Sequence, residues 1–350
     1  MKLATYQDGS RDGQLVLVSR DLASAHYATG VASRLQAVLD DWNFLSPQLQ
    51  DLYDELNAGR ARHAFPFDPR HCMAPLPRAY GHFEGGGFAQ AQAMLQAAAG
   101  TDAAAPSEPR MARLGGGELL GATEYLRLPR GGLEADFEAG LAVVTGDIPA
   151  GCTAERAIEG IRLVLLANGL ALRGPGEEAA AFDARPATAF SPVAVTVDEL
   201  GPAWSGGRLN GTLQTVWNGR KVGLNEAGPE MDFHFGQLIA RVARNGRLRA
   251  GTLVGCGPVS NKAVPREGAR EGRRAAKAAA AAAALEWPRG YACIADKRAM
   301  ETLQDGSAKT GWLQPHDTIR IEMKGRDGLS IFGAIEQEVT VGGSTAVAAG

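Results

Sequence analysis

What most constrains this chain is a pattern of short apolar runs cut at close intervals by glycine turns. Residues 2–6 and 14–18 are separated by Asp8-Gly9 and Asp12-Gly13. Residues 213–217 lead through Asn218-Gly219 into Lys221-Val222. Residues 319–323 and 329–335 are joined by Arg326-Asp327-Gly328. Asp-Gly and Asn-Gly pairs supply the positive φ that closes two strands into a hairpin. Glycine is correspondingly abundant, 45 of 350 residues, against a usual share of about 7%. Such a chain does not build long helical bundles; strands, turns and loops are the expectation. Part of the glycine, alanine and arginine excess also fits a GC-rich coding sequence.

Other classes fall away on charge and patterning. With a net charge of −3, the chain lacks the basic footprint of a nucleic-acid binder. No apolar run approaches the roughly 18 residues of a membrane span, and Met1-Lys2-Leu3-Ala4 opens no signal-peptide core. Cys72, Cys152, Cys256 and Cys293 are widely spaced and form no CxxC pair. They read as reduced thiols, which predicts a cytoplasmic protein. At 45% hydrophobic residues, the chain can bury a full core.

The pattern predicts two domains. Residues 33–57 read as helical, with Leu35, Val38, Leu39, Trp42 and Leu45 on one face and Ser46-Pro47 starting a second helix at Gln48. Proline-rich Phe65-Pro66-Phe67-Asp68-Pro69 and Pro75-Leu76-Pro77 form a connector. A small β-rich domain over 1–74 and a larger one over 75–345 follow from it. In the second, 136–144 reads as a strand, 153–168 as a helix capped by Thr153, 190–197 as a strand and 235–243 as a helix. Residues 264–289 are low in complexity, with Arg266, Arg270, Arg273, Arg274 and Lys277 ahead of seven alanines, Ala278 to Ala284. A solvated helix is the expectation there.

Several separated runs occur in an order that resembles the fumarylacetoacetate hydrolase family. They are Asp136-Phe137-Glu138, Leu141-Ala142-Val143-Val144-Thr145-Gly146-Asp147, Arg185-Pro186-Ala187-Thr188-Ala189-Phe190-Ser191-Pro192, Gly251-Thr252-Leu253-Val254-Gly255-Cys256-Gly257 with Val259-Ser260-Asn261, and Arg320-Ile321-Glu322-Met323 through Ser330-Ile331-Phe332-Gly333. The resemblance implies an α+β, β-rich fold: a mixed β-sandwich roll with a small N-terminal β-rich domain. It also implies a homodimer. Members typically cleave or decarboxylate carbon–carbon bonds of dicarbonyl or 2-keto acids. They use Mg²⁺ or Mn²⁺ on three carboxylates, a His–Glu pair that activates water, and a lysine that stabilises the oxyanion. A hard divalent cation takes oxygen ligands and polarises both oxygens of an enolised diketone. The water needs a base within hydrogen-bond reach, and the departing carbanion needs positive charge.

This chain departs from that pattern at the site. The family's Asp-Phe/Tyr-Glu-x-Glu reads Asp136-Phe137-Glu138-Ala139-Gly140, so Glu138 matches one ligand and Gly140 replaces the next. The family's Asn-Asp pair, placed at the end of the 153–168 helix, reads Asn168-Gly169. The His-x-Glu positions fall on Ala91 and Ala93. His82 and Glu84 keep the same spacing a few residues earlier; they read as a glycine-rich surface turn beside Gly85-Gly86-Gly87 or, after a register shift, as the pair itself. The lysine position is Arg185, which keeps the charge but cannot act as a base. Four small residues in place of ionisable ones imply a larger, less charged cavity.

The resemblance thus makes Glu138 and Arg185 the catalytic candidates, with Phe137, Ala91, Gly140, Asn168, Gly169, His82 and Glu84 lining a substrate. No metal or other cofactor is expected. Freed of its partners, Glu138 would have a raised pKa and could move a proton; alternatively it is a relic paired with Arg185. The leading expectation is a repurposed family member that binds a small carbonyl or carboxylate compound or works on it without a metal. A Mg²⁺/Mn²⁺-dependent hydrolase of acylpyruvate-like diketo acids and a non-catalytic partner of an active paralogue, in a heterodimer, are the alternatives. No nucleic-acid or membrane partner is expected.

Overall fold

A computed structural model of the chain describes residues 1–101, 106–114, 117–174, 184–265 and 285–342. The basic cluster from Arg266 to Lys277 and the alanine run lie outside the described residues. The first part contains β1 (Lys2–Tyr6), β2 (Gln14–Val18), β3 (Ser24–Tyr27), α1 (Leu35–Asp40), α2 (Trp42–Asn57) and β4 (Phe65–Pro66). Then come β5 (Gly81–Gly85), α3 (Ala89–Ala98), β6 (Met111–Leu114), β7 (Glu118–Leu120), β8 (Leu126–Leu128), β9 (Ala135–Thr145), α4 (Ala154–Glu159) and β10 (Ile161–Leu172). They are followed by β11 (Ala187–Phe190), β12 (Ala194–Thr196), β13 (Trp204–Ser205), β14 (Arg208–Leu209), β15 (Thr212–Trp217), β16 (Arg220–Glu226), α5 (Phe235–Val242) and β17 (Thr252–Pro258). The last are β18 (Val264–Pro265), β19 (Leu285–Glu286), α6 (Ile294–Asp305), β20 (Thr318–Met323) and β21 (Ile335–Val341).

The large sheet runs β4-β3-β2-β1-β12-β10-β9-β17-β5-β6, with β11 and β7 joined to it through β10. A second sheet runs β16-β15-β20-β21-β8. The N-terminal strands are not a separate sheet: β1 pairs antiparallel with β12, Lys2 opposite Val195. Two of the three expected hairpins form; in the third, Thr318–Met323 pairs with Ile335–Val341 and not with 329–335, which joins it only through a bridge between Lys324 and Ser330. β1 and β2 pair over their full length. β15 turns into β16 at Asn218 and Gly219, both at positive φ, the mirror-image turn that suits strand twist.

Two expectations fail instructively. Residues 153–168 are not one helix. Thr153 caps only the short α4, and Gly160 ends it. Ile161–Leu172 then runs as strand β10 along the whole of β9. Its nearly continuous apolar stretch fits a strand buried on both faces, which periodicity alone does not separate from a buried helix. The second N-terminal helix starts earlier than Gln48, at Trp42, and carries Pro47 inside it.

β9 is buried over all 11 residues, and its alternation divides the core. Ala142 and Val144 face Leu3, Leu17, Val38, Leu49 and Tyr53, beneath α1 and α2. Phe137, Ala139, Leu141 and Val143 face the other way, towards Leu213, Ile321, Met323 and Val339 of the second sheet. Successive side chains of a strand point to opposite faces. Asp136, Glu138 and Gly140 therefore share the face of Ala142, at the end where apolar packing stops.

Candidate functional site

A cavity of about 310 Å³ opens at that end of the large sheet. Its walls are β9 and β17 (Glu138, Cys256, Gly257, Pro258), β5 and β6 (Glu84, Gly85, Met111, Ala112), α3 (Ala91, Gln92, Leu95) and the start of α6 (Cys293, Asp296). Arg173 and Arg185 reach in from the strand ends, and exposed Arg110 stands at the mouth.

Glu138 is the centre of the charged network. It is 4% exposed, and both of its oxygens are taken. Arg173 donates to Oε1 through Nη2, and Arg185 donates to Oε2 through Nη1. Arg185 adds a bond from Nη2 to Oε1 at 3.0 Å. Burial alone would push the Glu138 pKa up; the two guanidiniums outweigh it and hold the carboxyl below its usual range. The expectation of a proton-moving Glu138 with a raised pKa is thus corrected in favour of the ion pair with Arg185.

Asp136 sits two residues away on the same face, fully buried. Its oxygens accept the N–H groups of Ile294 at 2.6 Å and Ala295 at 3.0 Å, the open donors at the start of α6. Arg173 Nη2 lies 3.1 Å from Oδ2. Arg173 thereby ties Asp136 and Glu138 into one block that anchors α6 to the sheet.

Glu84 belongs to strand β5, not to a surface turn. It points over Gly255 of β17, where a Cβ would lie 2.6 Å from the Glu84 carboxyl carbon. Gly257, at φ +74°, turns its N–H onto Glu84 Oε1 at 2.6 Å. The side chain is 12% exposed. Burial, with Glu138 adding to it against the opposing pull of Arg185, pushes the Glu84 pKa up to about 7. His82 Nε2 is 3.8 Å from Glu84 Oε2 and has no hydrogen-bond partner. Burial, then the nearby Arg185, push His82 down to about 4, so the ring is neutral.

The remaining expected residues divide by strand parity. Phe137 faces the second sheet and meets Trp217 edge-on, centroids 5.9 Å apart. Asn168 also faces that sheet and donates to Gln337 Oε1 at 2.9 Å. Neither lines the cavity. Gly169, opposite Glu138 in the ladder, is on the cavity side; a Cβ there would meet Glu138 Oε2 at 3.3 Å and Arg185 Nη1 at 3.7 Å. At Gly140 the space is filled: a Cβ would lie 3.1 Å from the Gly257 carbonyl carbon and nearer still to its oxygen. The expectation of a larger, less charged cavity is therefore corrected. Main chain occupies one vacated position, and the Glu138–Arg185 pair borders the other. Ala91 lines the cavity and Ala93 does not.

Among the described residues there is no group of three or more His, Cys, Asp or Glu placed to hold a metal. Glu138, the one carboxylate at a ligand position of the family pattern, has both oxygens on guanidiniums.

Asp136, Arg173, Asp296 and Arg110 escaped the sequence reading. Parity could have found two of them. Asp136 is two residues from Glu138 on one strand, and Gly169, Ala171 and Arg173 alternate onto one face of β10 and its extension.

Residues 1–78 match the fumarylacetoacetase N-terminal domain 2, and residues 86–340 match the fumarylacetoacetate (FAA) hydrolase C-terminal domain. The chain belongs to the fumarylacetoacetate hydrolase family. Its fold is shared by maleylpyruvate hydrolase from Sphingobium sp. SYK-6 in complex with manganese(II) ion and pyruvate, at 14% identity and TM-score 0.60 over 98% of this chain and 100% of that one. It is also shared by fumarylacetoacetate hydrolase from psychrophilic Exiguobacterium antarcticum, at 16% identity and TM-score 0.59 over 97% and 99%. A 5-carboxymethyl-2-hydroxymuconate delta-isomerase from Mycobacterium smegmatis matches at 15% identity and TM-score 0.57 over 98% and 100%. No curated protein matches the chain by sequence.

Proposed function

We propose that this family member binds a small carboxylate- or carbonyl-bearing compound in the cavity and moves a proton on it without a divalent ion. The observation that carries the reading is the double clamp on Glu138: both oxygens that would face a metal are held by Arg173 and Arg185. Positive charge that the family draws from a cation is here built into the chain. Arg185 is 26% exposed at its side chain. Two of its five N–H donors are spent on Glu138, leaving three for a ligand carboxylate or an enolate oxygen. Glu84, near pH 7 in pKa, is matched to taking a proton from carbon beside a carbonyl and returning it. Tautomerisation of a keto acid is the simplest reaction this pair performs. The pyruvate in the manganese-bound maleylpyruvate hydrolase supplies a suitable probe.

The test is hydrogen–deuterium exchange at the methyl carbon of pyruvate, followed by proton NMR in deuterium oxide with chelator present. Wild type should exchange the methyl protons faster than buffer does. Glu84→Gln should lose that acceleration, and Arg185→Ala should lose calorimetric binding of pyruvate. Exchange that appears only on adding Mn²⁺, or that survives in Glu84→Gln, sinks the proposal.

A further inference from the structure

One wall of the cavity carries a buried carboxyl with no hydrogen-bond partner, and further unpaired oxygens stand behind it. Asp296, in the first turn of α6, is 1% exposed, lines the cavity, and has no hydrogen-bond partner at either carboxyl oxygen. The Ser260 hydroxyl beside it, also buried, has none. Nor has Oε1 of Gln90 on α3, whose amide nitrogen is spent on the Ser260 carbonyl at 2.6 Å. Native proteins leave few buried polar atoms unpaired, and a cluster of them beside a cavity calls for a partner from outside the chain.

No structural duty explains Asp296. The N–H groups that an acid near a helix start would cap are already held by Asp136. Arg173, the cation that acts on Asp296 through space, is committed to Asp136 and Glu138. Lys297 pairs with Glu301, and Arg298 donates to the Thr310 carbonyl. Burial pushes the Asp296 pKa up; the Ser260 hydroxyl and Cys293 thiol stand close enough to pull it part of the way back, but neither reaches a carboxyl oxygen with good hydrogen-bond geometry. The cavity is therefore polarised, with guanidinium donors of Arg185 and Arg110 among its lining and the unpaired Asp296 carboxyl in its α6 wall.

We infer that Asp296, backed by Ser260 and Gln90, is a ligand subsite that receives the hydrogen-bond-donating end, a hydroxyl or an amine, of a small acid whose carboxylate sits on Arg185. This rests on the reading of Arg185 as the carboxylate-binding group. Carbonyl and hydroxyl oxygens call for donors, and a buried site built to pair a donor rejects the analogue that lacks it.

Calorimetry with butyrate, 4-hydroxybutyrate and 4-aminobutyrate tests it, because these acids differ only at the far end. In wild type at least one donor-tailed acid should bind about tenfold or more tighter than butyrate. Which of the two does so separates a hydroxyl from an amine ligand. Asp296→Leu should erase the preference while keeping the affinity for butyrate. Equal binding of all three acids, binding of none, or a preference that survives in Asp296→Leu overturns the inference. If butyrate binds and loses its affinity in Arg185→Ala while the tail makes no difference, only the Asp296 subsite fails. If the acids bind Arg185→Ala as well as wild type, the carboxylate reading fails instead. A second readout needs no ligand. An oxygen pair kept for a partner is a burden on the free protein, so Asp296→Leu and Asp296→Asn should melt at or above the wild-type temperature. A fall of about 2 °C or more in both variants would mean a structural role and overturn the inference.

Discussion

Replacing Gly140 by alanine tests whether this site is a closed arrangement or a vacated one. If the second ligand position were simply empty, a methyl group would fit and the shorter unfolded-state entropy would stabilise by about 0.4–1 kcal/mol. The structure says otherwise. The new Cβ would lie 3.1 Å from the Gly257 carbonyl carbon and press on its oxygen. That oxygen is backbone and cannot swing aside as a flexible side chain would. Overpacking of this kind costs about 1–3 kcal/mol. Moving Gly257 also pulls its N–H from Glu84, 2.6 Å away, adding about 1–2 kcal/mol. A destabilisation of about 2–5 kcal/mol follows, read as a lower urea midpoint at unchanged slope. Gly169→Ala is the control, since its Cβ meets only Glu138 Oε2 at 3.3 Å and softer contacts beyond, and it should stay within about 1 kcal/mol of wild type. Gly140→Ala at or above wild-type stability, or Gly169→Ala as the more damaging change, would refute the reasoning.

Other outcomes follow from the same geometry. Glu138→Gln strands Arg173 and Arg185 without their shared carboxylate and should cost about 3–5 kcal/mol in denaturant unfolding; a loss below about 1 kcal/mol would show that the clamp is not made in solution. Glu84 gives a pH signature. Its pKa rises from 4.5 to about 7 on folding, so the folded state binds its proton more tightly. That stability is fully present below pH 4.5 and is lost as pH rises towards 7, by about 3 kcal/mol. Glu84→Gln should therefore gain on wild type between pH 5 and pH 8, and a constant difference across that range would contradict the shift. Asp136→Asn weakens the seat of α6, so amide exchange of Ile294 and Ala295 should accelerate relative to the β9 core.

How much of this could be read beforehand depended on whether the information was local. The β1–β2 and β15–β16 hairpins were legible because Asp-Gly and Asn-Gly fix the turn within a few residues. Glu138 and Arg185 were legible because the runs around them keep the family's order. β10 was not, because Ile161 to Leu172 is apolar without a period and only its pairing with β9 makes it a strand. That error also misplaced Asn168 and Gly169, which lie mid-strand on opposite faces. The Gly257 carbonyl over Gly140 and the Glu84 carboxyl over Gly255 depend on strands far apart in the chain. No spacing within either segment encodes those approaches.

The central claim is that two arginines take the place of a cation beside Glu138. Calorimetric titration of the chelator-treated protein with Mn²⁺, with and without pyruvate, tests it most directly. The account predicts no saturable binding at millimolar ion in either case. One ion bound per chain in the micromolar range, with binding lost in Glu138→Gln, would contradict it.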